Sequence, residues 1–295
     1  MTRSGYDEFG LFHENISEFA LTVGPNPVVT RVSTELADAR RLSALKWGEG
    51  DPRVVLVHGG GQNAHTWDTV ALALGTDLLA VDLPGHGHSA WNETGDYPLE
   101  SMADEVATVI SEHAPNAELV VGMSLGGLTS LMLAGRHTHL VRKLMLVDVT
   151  PGVTPAKVKA ITDFINGPQT FPSFDDLLRR TMEHNPTRNE SSLRRGILHN
   201  AVQLDDGSWQ WRYDRRKPHS GRDENLLNQL WSIVEGLSCP FTLVRGSLSP
   251  VVDDDDVAEV RRRLPSAVVH VVDGAGHSIQ GDRPLELTEI LRALL

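Results

Sequence analysis

The sequence predicts an α/β fold: a mostly parallel, doubly wound sheet with an inserted helical segment. Three observations predict it. Short, near-continuous apolar runs recur, each followed by turn residues, as strands buried on both faces do. Helix-compatible segments separate these runs, which is the alternation of a doubly wound sheet. A long mid-chain stretch lacks the runs, and they resume beyond it.

Taken in order, residues 1–27 form an N-terminal extension in which Phe9, Leu11, Phe12, Ile16 and Phe19 suit one helix packed on the body. Residues 28–33 and 40–47 alternate in the strand manner and predict an antiparallel hairpin. The apolar runs 54–57, 78–81, 119–121 and 144–147 then lead into His58-Gly59-Gly60-Gly61, Asp82-Leu83-Pro84-Gly85, a Gly-x-Ser-x-Gly turn and Asp148. A helix is expected over 99–113. Between about 150 and 238 the chain turns polar and helical, with helices expected over 155–165, 174–184, 191–201 and 224–235 and no buried strand. Strand patterns return at 241–244 and 268–272. The expected organisation is therefore an extension (1–27), a core (28–149 and 239–295) and a cap or lid (150–238) over the carboxyl edge of the sheet, where open α/β sheets bind ligands.

Forty per cent of the 295 residues are apolar, enough for a large core. The net charge of −12 disfavours nucleic acid and anionic membranes as partners. The single cysteine, Cys239, excludes an internal disulfide, and its place before Pro240 and an apolar run suits a buried structural thiol. No run approaches the ~20 apolar residues of a membrane span. The start has acidic residues and no apolar core of its own, unlike a secretory signal. A cytoplasmic location is expected.

The chemistry centres on Gly122-Met123-Ser124-Leu125-Gly126. A serine on a tight strand-to-helix turn projects its hydroxyl above the sheet edge, and the new helix aims backbone N–H groups at the same spot. A serine hydroxyl needs a base. His277, in Asp273-Gly274-Ala275-Gly276-His277-Ser278 directly after the last expected strand, reaches the same edge. The loop His58-Gly59-Gly60-Gly61 lies there too. Its Gly60 N–H and that of Leu125 are the candidate oxyanion donors. No Gly-Lys-Ser/Thr or G-x-G-x-x-G spacing makes this loop a phosphate cradle. His86 and His88 look like turn histidines, because no spaced cysteine or carboxylate completes a metal site. His137 and His139 suit a surface role near a helix end; His65 and His113 carry no supporting context. Asp253 to Asp256 read as the acidic first turn of a helix over 257–264.

With these pieces in order, the chain resembles the α/β-hydrolase superfamily, of the small esterase, perhydrolase and C–C hydrolase kind. The motifs that carry the resemblance are His58-Gly59-Gly60-Gly61 with Trp67, Asp82-Leu83-Pro84-Gly85-His86-Gly87-His88-Ser89, Gly122-Met123-Ser124-Leu125-Gly126-Gly127 and Gly274-Ala275-Gly276-His277. The resemblance implies an α/β-hydrolase fold with an inserted helical cap, and a Ser–His–acid triad. In most relatives the acid follows the penultimate strand in a Gly-x-x-Asp turn. Here that turn is Gly246-Ser247-Leu248-Ser249, with a neutral hydroxyl in the acid's place. Two replacements are available: Asp148 at a rigid strand end, which is favoured, and Asp253 to Asp256.

The expected function is a serine hydrolase cleaving a carboxylic ester of a small molecule through an acyl-enzyme on Ser124. His277 acts as base, Asp148 orients it, and Gly60 and Leu125 hold the oxyanion. No metal or organic cofactor is expected. C–C hydrolysis and perhydrolysis would use the same residues, and a ligand-binding receptor on this scaffold is the non-enzymatic alternative. Trp209, Trp211, Tyr213, Trp231, Phe164, Phe171 and Phe174 either line a pocket or pack the cap. Arg212, Arg215, Arg216 and Lys217 form a basic cluster, either solvated or facing a substrate carboxylate.

Overall fold

A computed structural model gives the fold; it describes residues 6–23, 27–185, 188–215 and 224–295. Eleven strands and eleven α-helices are found among them. The strands of the large sheet are β1 (Val29–Glu35), β2 (Arg41–Trp47), β3 (Val54–Val57), β4 (Leu78–Val81), β5 (Leu119–Met123), β6 (Leu144–Val147), β10 (Phe241–Gly246) and β11 (Val268–Val272). Their order is β1-β2-β4-β3-β5-β6-β10-β11. The expected hairpin pairs Val29 with Trp47, β2 runs antiparallel to β4, and every pairing from β4 to β11 is parallel. From β3 the chain goes first to one neighbour, β4, and then across to the other, β5. The crevice at this reversal is where open α/β sheets place ligands.

Side chains alternate across the sheet, and each face is covered by helices. Val55, Val57, Leu79 and Val81 pack with α3 (Leu99–His113), α4 (Leu125–Arg136) and α8 (Glu224–Glu235). Val54, Leu56, Leu78 and Ala80 pack with α2 (Asp68–Leu74), α11 (Pro284–Leu294) and α1 (Phe12–Glu18). Burial on both sides is why these strands read as unbroken apolar runs.

The N-terminal helix α1 is shorter than the apolar spacing predicts. Phe9 lies before it and Phe19 caps its end, although Phe9 still stacks on Phe12 and Phe12 on Trp47. The segment 150–238 contains α5 (Lys159–Ile165), α6 (Phe174–His184), α7 (Glu190–Asn200) and α8. It also contains three strands that the sequence reading missed: β7 (Thr170–Phe171), β8 (Ala201–Gln203) and β9 (Trp209–Trp211), paired in the order β7-β9-β8. Strands of two or three residues are too short to show a period of two. Phe171, Trp209, Trp211 and Tyr213 form a separate apolar cluster there with Ile165, Leu177 and Ile197. Trp231 instead joins the main core through α8. The remaining helices, α9 (Asp254–Arg263) and α10 (Ile279–Asp282), follow β10 and β11. Among the described residues no helix is long and apolar enough to cross a membrane.

Candidate active site

The carboxyl ends of β3, β5, β6, β10 and β11 gather the residues of interest. Ser124 stands between β5 and α4 with φ +52° and ψ −118°. Four described non-glycine residues have positive φ, and two of them are Ser124 and Asp148. Backbone strain of this kind persists only where the surroundings impose it. The surroundings here are tight. A Cβ at position 122 would stand 2.4 Å from the Gly126 carbonyl oxygen, and one at position 126 would stand 2.3 Å from that of His58. The motif's two glycines therefore let the elbow close against β3. The Ser124 N–H donates to Val147 O at 3.1 Å, which ties the elbow to the end of β6.

Asp148 follows immediately and is fully buried. Its N–H bonds Val244 O at 2.7 Å, fixing it beside β10. Its carboxylate accepts from the Gly246 N–H at 3.1 Å through Oδ1, and from Ser249 Oγ through Oδ2. The same Oδ2 accepts from His277 Nδ1 at 2.7 Å. That bond fixes the imidazole's orientation and its tautomer. The other ring nitrogen, Nε2, is buried with no protein hydrogen-bond partner. The loop carrying His277 is held by Gly276 N–H donating to Asp282 Oδ2 at 2.9 Å, and by β10, where a Cβ on Gly246 would stand 2.3 Å from Ala275 O.

The alternative acids lie elsewhere. Asp253 caps α9 in a reciprocal capping box with Asp256, and both bind Lys157 of the 150–238 segment at 2.7 and 2.6 Å. The Lys157 ammonium and the capping bonds lower the Asp253 pKa to about 2. Ser249, at the position where the acid is more usual, thus contacts the carboxylate that bonds His277.

The glycine loop after β3 is built by His58 and Asp82. The Leu83 N–H donates to His58 Nε2 at 3.0 Å, so Nδ1 carries the proton and donates to Gly59 O at 2.7 Å. Burial lowers the His58 pKa and keeps the ring neutral. Asp82 is fully buried and receives Ala64 N–H at 2.7 Å, His88 N–H at 3.1 Å and Arg31 Nη1 at 2.8 Å. Burial opposes its charge, but Arg31 and the backbone donors outweigh it and lower its pKa. His86 and His88 lie in this turn, with His86 Nδ1 on Pro84 O at 3.0 Å. The Gly59 N–H is occupied by Gln62 Oε1 at 3.0 Å. Gly60 faces Leu125: a Cβ there would lie 3.7 Å from Leu125 Cδ2. The two expected oxyanion donors are therefore neighbours. Ile165 and Tyr213 sit above the loop, within 3.1 and 3.7 Å of a Cβ built on Gly61.

One assembly was invisible in the sequence. His65 Nδ1 donates to Asp68 Oδ2 at 2.9 Å and Nε2 to Glu8 Oε1 at 3.0 Å, and the ring stacks on His199 at 3.8 Å. Tyr6 bonds His199 Nδ1 at 2.6 Å. Donor atoms of His65, Asp68 and His199 lie within 4.8 Å of one another, as metal ligands would. The doubly donating His65, held between two carboxylates, already fills that role as an imidazolium. The network joins the N-terminal segment, α2 and α7, which are far apart in sequence, so no local motif could have revealed it. Of the basic cluster, Arg216 and Lys217 lie outside the described residues; Arg212 has its pKa lowered by burial. Cys239 is half-buried, and burial raises its thiol pKa.

This fold, with a strained serine elbow and a histidine loop at the same edge of the sheet, defines a class, and the comparisons agree. The chain belongs to the alpha/beta hydrolase fold family, whose model matches residues 52–284. It is 46% identical over 299 aligned positions to the esterase Rv0045c of Mycobacterium tuberculosis, covering 99% of this chain and 97% of that one. A crystal structure of that esterase matches with a TM-score of 0.87 over 99% of both chains. The 3-hydroxybutyrate-oligomer hydrolase of Cupriavidus necator is 30% identical over 262 residues, 82% of this chain and 88% of that one.

Proposed function

We propose that the protein is a serine hydrolase of carboxylic esters of small molecules. Ser124 Oγ attacks the ester carbonyl while His277 Nε2 takes its proton. Asp148 holds the ring through Nδ1 and stabilises the imidazolium that forms. The N–H groups of Gly60 and Leu125 receive the oxyanion, a pair of donors of which each is worth about 10²–10³ in rate. The protonated His277 then delivers its proton to the leaving alkoxide. In the second half it activates water, which attacks the acyl-enzyme and releases the acid. The segment 150–238 acts as a cap, with Ile165 and Tyr213 over the glycine loop.

The observation that carries this reading is the bond from His277 Nδ1 to buried Asp148 at 2.7 Å, which leaves Nε2 free for a hydroxyl. The similarity to a mycobacterial esterase over the whole chain supports ester cleavage in particular. The test is hydrolysis of p-nitrophenyl acetate together with labelling by a fluorophosphonate. Ser124→Ala should lose at least about 10⁴-fold in kcat and all labelling. Labelling that survives in the variant would overturn the assignment.

A further inference from the structure

A small cavity of about 180 Å³ with a mixed polar and apolar lining lies between α7 and the end of the sheet. Its walls include Gly61 and Gln62, which continue the oxyanion loop, and Ser278 and Gln280, which follow His277. It therefore lies beside the two loops that carry Gly60 and His277, although neither Ser124 nor His277 lines it. Its size is below the ~300 Å³ of pockets for drug-sized ligands, so it suits a short substrate arm.

The charges around it are unequal. Arg195 is neutralised by Glu18 at 2.6 Å and Glu14 at 3.4 Å, and Asp68 by His65 at 2.9 Å. Arg188, at the start of the turn into α7, has no such partner. Among the described residues its guanidinium donates to Ser192 Oγ at 2.6 Å and meets no carboxylate within ion-pair distance. Asp282 and Glu18 act on it only through space, and burial lowers its pKa. The guanidinium reaches across to α10, where a Cβ built on Gly281 would stand 2.8 Å from Nη1. The guanidinium is partly buried, and it presents paired donors that match a carboxylate. Beside it, Gln280 is 1% exposed, and its Oε1 is buried with no protein partner.

We infer that Arg188 recognises a carboxylate on the substrate, and that the preferred esters are short ones carrying a free carboxylate, such as monoesters of short dicarboxylic acids. This rests on the ester-hydrolase reading above. The carboxylate pairs with Arg188 while the ester carbonyl lies at Ser124, and Gln280 meets polar groups along the connecting arm. Arg188 is a specificity residue and takes no part in the bond-breaking steps.

The test compares kcat/KM for monomethyl glutarate and dimethyl glutarate on the full-length protein, with p-nitrophenyl acetate as reference. The wild type should prefer the charged monoester at least about tenfold, chiefly through KM. In Arg188→Met that ratio should fall at least about tenfold, and Arg188→Lys should retain part of it. Because the readout is a ratio, a general loss of folded enzyme does not move it. A wild type that favours the neutral diester, or an unchanged ratio in Arg188→Met, overturns the inference while the acetate is still turned over. If the wild type turns over no ester, the hydrolase reading fails and takes this inference with it.

Discussion

Ser249 and His277 meet at one atom: both donate to Oδ2 of Asp148. The acid stands at the end of β6, and the serine occupies the turn after β10 where the acid is more usual. With Gly246 N–H on Oδ1, the carboxylate has three donors in a fully buried site. Its geometry is over-determined, as a group that must orient an imidazole requires.

Replacing the acid should therefore be severe and replacing its support mild. Asp148→Asn is expected to lower kcat about 10⁴-fold, because an amide favours the wrong histidine tautomer. Ser249→Ala removes one charge-assisted hydrogen bond, worth about 1.5–3 kcal/mol, and should cost at most about 10–150-fold. Steady-state kinetics on an activated ester, with circular dichroism to confirm folding, separates the two.

The shared atom also predicts a rescue. A carboxylate grown from position 249 would project to where Oδ2 now meets His277 Nδ1. The double variant Asp148→Gly with Ser249→Asp, in which glycine clears that space and suits the positive φ at 148, should recover at least about tenfold in kcat over Asp148→Gly alone. No recovery would mean that the β10 turn cannot present an acid to this ring.

Gly126 should be irreplaceable for steric reasons. The added methyl of Gly126→Ala would meet the carbonyl oxygens of His58 and Val57 at 2.3 and 2.5 Å, and both belong to backbone in a central strand and its loop. Overpacking of this kind costs about 1–3 kcal/mol or more. Thermal melts should show a Tm lower by several degrees. Activity should fall further than stability, since the oxyanion loop is what gets pushed.

Stability should also depend on pH through His65. Burial opposes its charge, but Asp68 and Glu8 outweigh it and raise its pKa to about 9. A histidine raised in this way contributes stability that is complete below its unfolded pKa of ~6.5 and is lost as pH rises through 9. Tm should therefore decline between pH 6.5 and 9. His65→Gln should have a lower Tm at pH 6 and little decline above it; an equal decline in the variant would assign the effect to other groups.

The nucleophile elbow and the histidine loop were legible because each is a local pattern, with an apolar strand followed by residues whose small size or reach the turn demands. The strands of the parallel sheet followed from the same runs, whereas their spatial order came only with the structure. The replacement acid was legible only as a choice between Asp148 and Asp253 to Asp256. Both follow strands at the same edge, and pattern alone does not say which carboxylate faces inward. The strands β7, β8 and β9 were missed because they are too short to show alternation.

By itself, the sequence determined which residues could sit at one edge of one sheet, since strand-and-turn chemistry is set within a few residues. Tertiary structure alone decided which of them touch. It turned Asp148 toward His277 and Ser249 toward Asp148, sent Asp253 and Asp256 to Lys157, and left Arg188 beside the cavity with no ion pair among the described residues. The reason is that a hydrogen bond or an ion pair acts over about 3–4 Å, and segments more than a hundred residues apart come that close only once the sheet has closed around its core.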